Sequence, residues 1–136
     1  MLYDKENLFS ENQVFTASAA STNVIDIAKG NLKEVAYGTP IPLRIQVTED
    51  YTGLTSINFK VQTCAAEGFA SNVTTLAETG AVAAASLKAG YVAPINYIPK
   101  GNKGYVRIYY DVVGTATAGK VTAGIVAGNE GSWQDM

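Results

Sequence analysis

The sequence contains no histidine among its 136 residues, and its single cysteine is Cys64. Without histidine there is no Ser-His-Asp or Cys-His nucleophile system, no imidazole acid–base catalysis and little basis for a zinc site. One cysteine cannot form an internal disulfide or a multi-thiolate metal site, so we expect Cys64 to be a small buried or half-buried thiol. The sequence therefore predicts a protein that is not an enzyme and that has no catalytic residue, cofactor or metal ion.

Charged residues are also few. They make up 16% of the chain, with 10 Lys and Arg against 12 Asp and Glu and a net charge of −2, whereas about a quarter is usual. Proteins that bind nucleic acid need clustered cations, so we expect no nucleic-acid partner. We also expect no membrane partner, because there is no signal peptide and no apolar run of about 18 residues. A chain with so little charge is expected to bury part of its surface in an assembly.

The strongest pattern in the sequence is an alternation of apolar and polar residues with a period of two, which indicates β-strands with one core face. In segment 57–62 this alternation predicts that Ile57, Phe59 and Val61 face the core and that the residues between them face outward. The other segments with a strong or weak strand pattern are 13–21, 23–27, 43–48, 73–78, 91–98, 105–113 and 120–128. About eight strands are therefore predicted.

Glycine-rich segments separate these strands and predict turns, for example Asp50–Gly53. Only one short helical turn is expected, around 83–87. Strands of this length and spacing favour a single β-sandwich domain, and eight of them suit a jelly roll over 13–128. An immunoglobulin-like sandwich is the alternative, although the usual Cys…Trp…Cys core is missing. Residues 1–12 are predicted to be a strandless lead-in, and residues 129–136, with Trp133, a flexible tail.

The segment GTATAGKV at 114–121 imitates a phosphate-binding loop. Gly114, Gly119 and Lys120 fit its first seven positions, but Val121 stands where the magnesium-binding Ser or Thr is required. The residues that follow have a strand pattern, whereas a phosphate-binding loop opens a helix. We therefore predict a hairpin loop that does not bind a nucleotide. The acidic residues Glu49 and Asp50 are likewise interpreted as solvated acids near a strand end and not as a catalytic pair.

Two features suggest contact with another protein. Tyr105, Arg107 and Tyr109 share the polar side of one strand. Ordinary sheet packing explains tyrosines in a strand, but Tyr and Arg are also enriched at protein interfaces.

The second feature is the N-terminal lead-in, where apolar side chains occur among charged ones. These residues are Leu2, Tyr3, Leu8 and Phe9. If the segment has no strand of its own, these side chains must dock on their own domain or on a partner. We predict that they anchor the protein to a partner and that the Tyr105/Arg107/Tyr109 side contributes to the same interface.

The order of segments resembles a known family from Leu2 to about Val126. LYDKENLFSENQ, TASAASTNVIDI, LRIQVTEDYT, TSINFKVQT, SLKAGY and AGKVTAGIV follow one another as in the jelly-roll capsid cement, or decoration, proteins of tailed bacteriophages. The most specific pieces are Ser21–Asp26 and Ala118–Gly124, and neither has a catalytic meaning.

The resemblance implies a homotrimeric β-sandwich on the outer surface of the virion capsid, made in the host cytoplasm. Its partners would be the major capsid protein and other copies of itself, and it would stabilise the shell by bridging neighbouring capsid subunits. Two other functions remain open: a carbohydrate- or receptor-binding jelly-roll module of a phage tail or fibre, and a small hydrolase. The missing histidine and the missing serine elbow motif count against the hydrolase.

Overall fold

The computed structural model describes residues 3–26, 41–66, 68–98 and 104–126. Within these ranges the fold is all-β, with one 3-10 turn, Ala84–Ser86, at the position where a helical turn is predicted. The seven strands of the described residues are β1 (Tyr3–Gln13), β2 (Ala19–Ala20), β3 (Ile25–Asp26), β4 (Ile41–Cys64), β5 (Thr74–Ala83), β6 (Tyr97–Ile98) and β7 (Tyr105–Val126). The predicted C-terminal tail, 129–136, lies outside the described residues.

Two long antiparallel strands, β4 and β7, form a ribbon at the centre of the fold. Their pairing runs from Leu43 opposite Ile125 at one end to Cys64 opposite Tyr105 at the other. The sequence predicts four shorter strands here, separated by a turn at 50–53 and a hairpin loop at 114–121. Both interruptions are wrong, because these two segments pair with each other and keep the ribbon continuous.

The pairing is irregular only in the middle of the ribbon. Register shifts occur between residues 47 and 56 of β4, opposite 113–121 of β7, and they divide the ribbon into two regular halves. Gly119 in this region has a φ of +131°, and a Cβ atom there would collide with the Tyr51 ring. In sequence Gly119 resembles a turn residue. In the structure a glycine is needed at this position because the Tyr51 ring packs against its backbone.

The remaining strands flank the two halves of the ribbon. β1 and β6 lie beside the half that contains 41–47 and 121–126, β1 along β7 and β6 along β4. β2 and β3 pair with the first half of β7, and β5 pairs with the second half of β4. All of these pairings are antiparallel, and each half of the ribbon is thereby covered along both of its edges.

The sequence predicts a strandless N-terminal segment. This prediction is wrong, because residues 3–13 form β1. Its pairing with β7 has three register shifts between Tyr3 and Gln13. Each shift moves the following side chains to the other side of the strand. The period-two alternation that would have indicated a strand is therefore absent from this part of the sequence.

The core joins the inward faces of both halves of the ribbon. Ile57, Phe59 and Val61 are fully buried, which confirms the predicted register of this segment. The Tyr110 ring stacks on Phe15 with 4.8 Å between ring centroids and meets Phe59 edge-on at 5.9 Å. One cluster of buried residues in the described ranges contains side chains from both halves, an arrangement compatible with a β-sandwich.

Candidate protein-interaction site

One half of the ribbon consists of 56–64 of β4 and 105–113 of β7. Its polar side carries the three residues that the sequence singles out on β7. We call Tyr105, Arg107 and Tyr109 the Tyr–Arg face. All three are half-buried, and they alternate with Val106, Ile108 and Tyr110, which are fully buried. The predicted separation of the two faces of this strand is confirmed. The residues opposite the Tyr–Arg face on β4 are Cys64, Gln62 and Lys60, in that order.

Arg107 is the centre of this face. Its Nε donates a hydrogen bond of 2.9 Å to Oε1 of Gln62. Its guanidinium carbon lies 4.4 Å from the centre of the Phe69 ring and 5.4 Å from the centre of the Tyr109 ring, distances at which a cation is attracted to an aromatic face. Desolvation by burial lowers the pKa of Arg107 from its usual value, although Tyr109 and then Cys64 act in the opposite direction.

Phe69 belongs to the loop that follows β4 and covers one end of this face. The Phe69 side chain is 7% exposed, although the residue lies outside any strand and has a φ of +51°. Its backbone N–H donates to the carbonyl of Ala66 at 3.2 Å. Under the same loop, Cys64 is buried, as predicted, and its thiol donates to the carbonyl of Ser71 at 3.1 Å. The loop therefore fixes an aromatic ring over the arginine.

Charges beside the Tyr–Arg face are paired. Lys60 contacts Asp111 at 3.2 Å between Nζ and Oδ2, and Asn58 donates a hydrogen bond to Glu78 at 3.5 Å. The sequence relates Asp111 to Arg107 only by their common side of the strand, and the structure pairs Asp111 with Lys60 instead. Lys60 therefore has a partner of opposite charge, whereas Glu78 accepts from a neutral amide and Arg107 has no ion pair among the described residues.

The proposed N-terminal anchor residues have different surroundings from those expected. Leu2 lies outside the described residues, and Tyr3 is the first residue of β1. Leu8 is 7% exposed and Phe9 is fully buried in the core of the same chain. The position of β1 is secured further because Asn23 donates to the Phe9 carbonyl through its backbone N–H and to the Leu8 carbonyl through its side chain. Leu8 and Phe9 are therefore held inside the protein and not displayed to a partner.

The acidic and phosphate-loop candidates are parts of the central ribbon. Lys120 forms an ion pair with Glu49, with 3.6 Å between Nζ and Oε2, and β7 continues beyond it as a strand. Asp50 accepts the backbone N–H of Ala89 at 2.7 Å and lies 3.9 Å from the ammonium of Lys88. Glu49 and Asp50 are exposed, as expected, but they lie inside β4 and not at a strand end. Each of the two acids has its own lysine partner, and they do not form a catalytic pair across a cleft.

The irregular middle of the ribbon brings together three described segments that contain no charged residue, a feature that the sequence analysis does not detect. Three segments meet there: 14–18, 52–55 and 113–118, and we call them the uncharged end. The Ala116 N–H donates to the Thr16 carbonyl at 2.9 Å, and the hydroxyls of Thr52 and Thr117 are 3.0 Å apart. Val14 and Val113, at 63% and 55% exposure, are among the most exposed large apolar residues of the described chain. The three segments are far apart in sequence, and only the fold brings them together into one uncharged surface.

In the described part of the chain, no helix has the length and apolar character needed to span a bilayer. The same residues contain no group of three or more Cys, Asp or Glu placed to hold a metal ion. The sheet presents the Tyr–Arg face, whose residue types are enriched at protein interfaces, and the uncharged end.

A comparison with curated proteins finds no match for this chain. A family model does match. The model, described as Bbp16, covers residues 9–125, which run from β1 through almost all of β7 and include the whole central ribbon. Because the match extends over most of the sequence and over both halves of the sheet, the chain belongs to the Bbp16 family.

Proposed function

We propose that this protein is a capsid cement protein that binds the outer surface of a phage head and bridges neighbouring subunits of the major capsid protein. The observation that carries the proposal is the order of segments from Leu2 to about Val126, which resembles that of jelly-roll cement proteins. The family match covers nearly the same part of the chain. The all-β fold and the chemistry of the Tyr–Arg face support the same function.

The proposed mechanism needs binding and no chemical reaction. A cement protein stabilises a shell by making contacts that must be broken before adjacent capsid subunits separate. Several weak contacts on one symmetric lattice raise the effective affinity far above that of a single contact. The Tyr–Arg face is our candidate for the surface that touches the capsid subunit.

The uncharged end is our candidate for the contact between copies. Low charge lets three copies approach one another around a threefold axis without repulsion, and the exposed Val14 and Val113 side chains gain from burial. Three copies arranged around a threefold position of the shell would make equivalent contacts with the lattice. The jelly-roll topology and the homotrimer are both parts of this proposal. Light scattering tests the trimer: the wild type is expected at three times its monomer mass, and V113E is expected to be a folded monomer.

Phage heads that lack the protein provide the test of function. Purified full-length protein should bind these heads in a saturable manner, and refilled heads should release their genome at a higher temperature than empty ones. In intact virions the copy number should scale with the number of capsid subunits. A copy number that follows the tail, or a failure to bind heads, would contradict the cement function and favour the receptor-binding alternative.

A further inference from the structure

Arg107 has more hydrogen-bonding capacity than its own chain uses. A guanidinium has five N–H donors in a planar fork. Nε–H is engaged by Gln62 at 2.9 Å, whereas no hydrogen bond or ion pair to the terminal Nη groups occurs in the described part of the chain. Four donors of a half-buried cation therefore have no acceptor among the described residues.

The orientation of this fork is fixed by its neighbours. Gln62 holds the Nε edge, and the Phe69 ring lies 4.4 Å from the guanidinium carbon on the loop side. The backbone of Arg107 is equally constrained, because Val106 and Ile108 on either side are fully buried. An arginine held in this way loses little further side-chain freedom when it binds a ligand.

We propose that Arg107 binds one carboxylate, supplied by an Asp or Glu side chain of the capsid subunit, through its terminal Nη groups. This inference rests on the proposed cement function and specifies the chemistry of its contact with the shell. A carboxylate matches the arginine fork with two parallel charge-assisted hydrogen bonds. Tyr109 on one side of Arg107 adds an aromatic surface of the type that surrounds such contacts at interfaces.

The surrounding charges favour a single carboxylate over a nucleic-acid backbone. A phosphate backbone is bound by several cations along a groove. Here the adjacent cation, Lys60, is neutralised by Asp111, and Glu78 lies across the sheet from Lys60. A polyanion would meet these two acids, whereas one carboxylate placed at Arg107 would not need to approach them.

The experiment is add-back binding of the full chain to heads that lack it, with R107Q, R107K and the control K88Q. Lys88 is an exposed lysine whose ion pair with Asp50 lies elsewhere on the chain. We expect R107Q and R107K to weaken binding about tenfold or more, because each variant loses the paired charge-assisted hydrogen bonds of the guanidinium fork. R107K is included because lysine keeps the charge but lacks the fork. K88Q should bind like the wild type.

A second variant separates a binding defect from a folding defect. Q62E would place a carboxylate beside the guanidinium in the same chain, where it can occupy the fork. We expect Q62E to melt at or above the wild-type temperature and yet to bind heads as weakly as R107Q.

The possible results distinguish a wrong carboxylate contact from a wrong cement function. If the wild type binds heads and the Arg107 and Gln62 variants bind equally well, the carboxylate contact is refuted while the cement function stands. If R107K matches the wild type, a point charge suffices and the fork geometry is refuted. Competition of head binding by a short DNA duplex would indicate a phosphate ligand and overturn the carboxylate assignment. If the wild type does not bind heads, both proposals fail.

Discussion

Replacement of Phe9 by alanine distinguishes a residue of the core from an anchor for a partner. The sequence suggests an anchor, because LFSEN has no strand pattern. The structure puts the Phe9 ring in the core with no exposed surface, on a strand whose backbone is bound to Asn23. The two interpretations predict opposite results for stability and for binding.

The expected cost follows from the burial of the ring. Removal of a fully buried phenylalanine side chain destabilises a protein by about 3–5 kcal/mol, because both transfer free energy and packing are lost. For a chain of this size each kcal/mol lowers the melting temperature by about 3–5 °C, so F9A should melt about 10–20 °C below the wild type. Y97A is the matched control. It also removes an aromatic ring, but Tyr97 is 53% exposed, and the expected loss is below about 1 kcal/mol.

Thermal melting and head binding of the same samples decide between the interpretations. Melting is followed by circular dichroism at one fixed protein concentration, since association shifts the melting temperature. Head binding is measured well below the melting temperature, where F9A should still bind. If F9A melts like the wild type but no longer binds heads, Phe9 is an anchor, and the assignment of β1 to the sheet is wrong.

Three further predictions concern the ribbon. G119A should destabilise the protein by about 1–3 kcal/mol more than G80A in urea unfolding, because both glycines have positive φ but only a Cβ at Gly119 meets a ring; equal costs would contradict that contact. The Tyr51 hydroxyl is buried and has no hydrogen-bond partner among the described residues, so Y51F should be about 1 kcal/mol more stable. Desolvation raises the pKa of Tyr51 above its usual 10.0, so the unfolded chain loses the phenol proton at a lower pH than the folded protein. The stability of the wild type should therefore fall above about pH 10. Y51F should lack this contribution when both proteins are melted at alkaline pH. F59A should cost about 3–5 kcal/mol and K60A less than about 1 kcal/mol by the same unfolding assay, and similar costs would mean that the register is wrong.

Sequence patterns predicted this fold where the pairing is regular and failed where it is not. Segments 57–62 and 105–113 pair with each other in one of the two regular halves of the ribbon, where no register shift interrupts their pairing. The shifts between residues 58 and 62 belong to the pairing of β4 with β5. In the middle of the ribbon and in β1, repeated register shifts break the alternation. The middle of the ribbon contains Gly53, Gly114 and Gly119, all with positive φ, and glycine is also common in turns. A local pattern cannot separate the two uses, because the distinction depends on a partner strand more than 50 residues away.

The candidate site was predictable only in part for a related reason. Alternation places Tyr105, Arg107 and Tyr109 on one side of a strand, and the structure agrees. Gln62 and Phe69, which orient Arg107, come from the neighbouring strand and from the loop after it. No short-range signal links 62 or 69 to 107. The uncharged end escapes sequence reading in the same way, since its three segments come together only in the folded sheet.

The division of the ribbon into two regular halves and an irregular middle bears on how the protein would bind a shell under the proposed function. The Tyr–Arg face lies on the regular half that contains 105–113, where every second residue of β7 is fixed in the core. Its side chains are therefore ordered before binding, and an interface built on them avoids much of the entropy cost of association. The uncharged end lies at the irregular middle, where most residues of 52–55 and 113–118 are exposed and the majority are Thr, Ala or Gly. On this arrangement, mutation of Arg107 should weaken attachment to the shell without changing the oligomer, and V113E should separate the copies while each one keeps its single contact. Loss of both properties from either mutation would mean that the two surfaces are not independent.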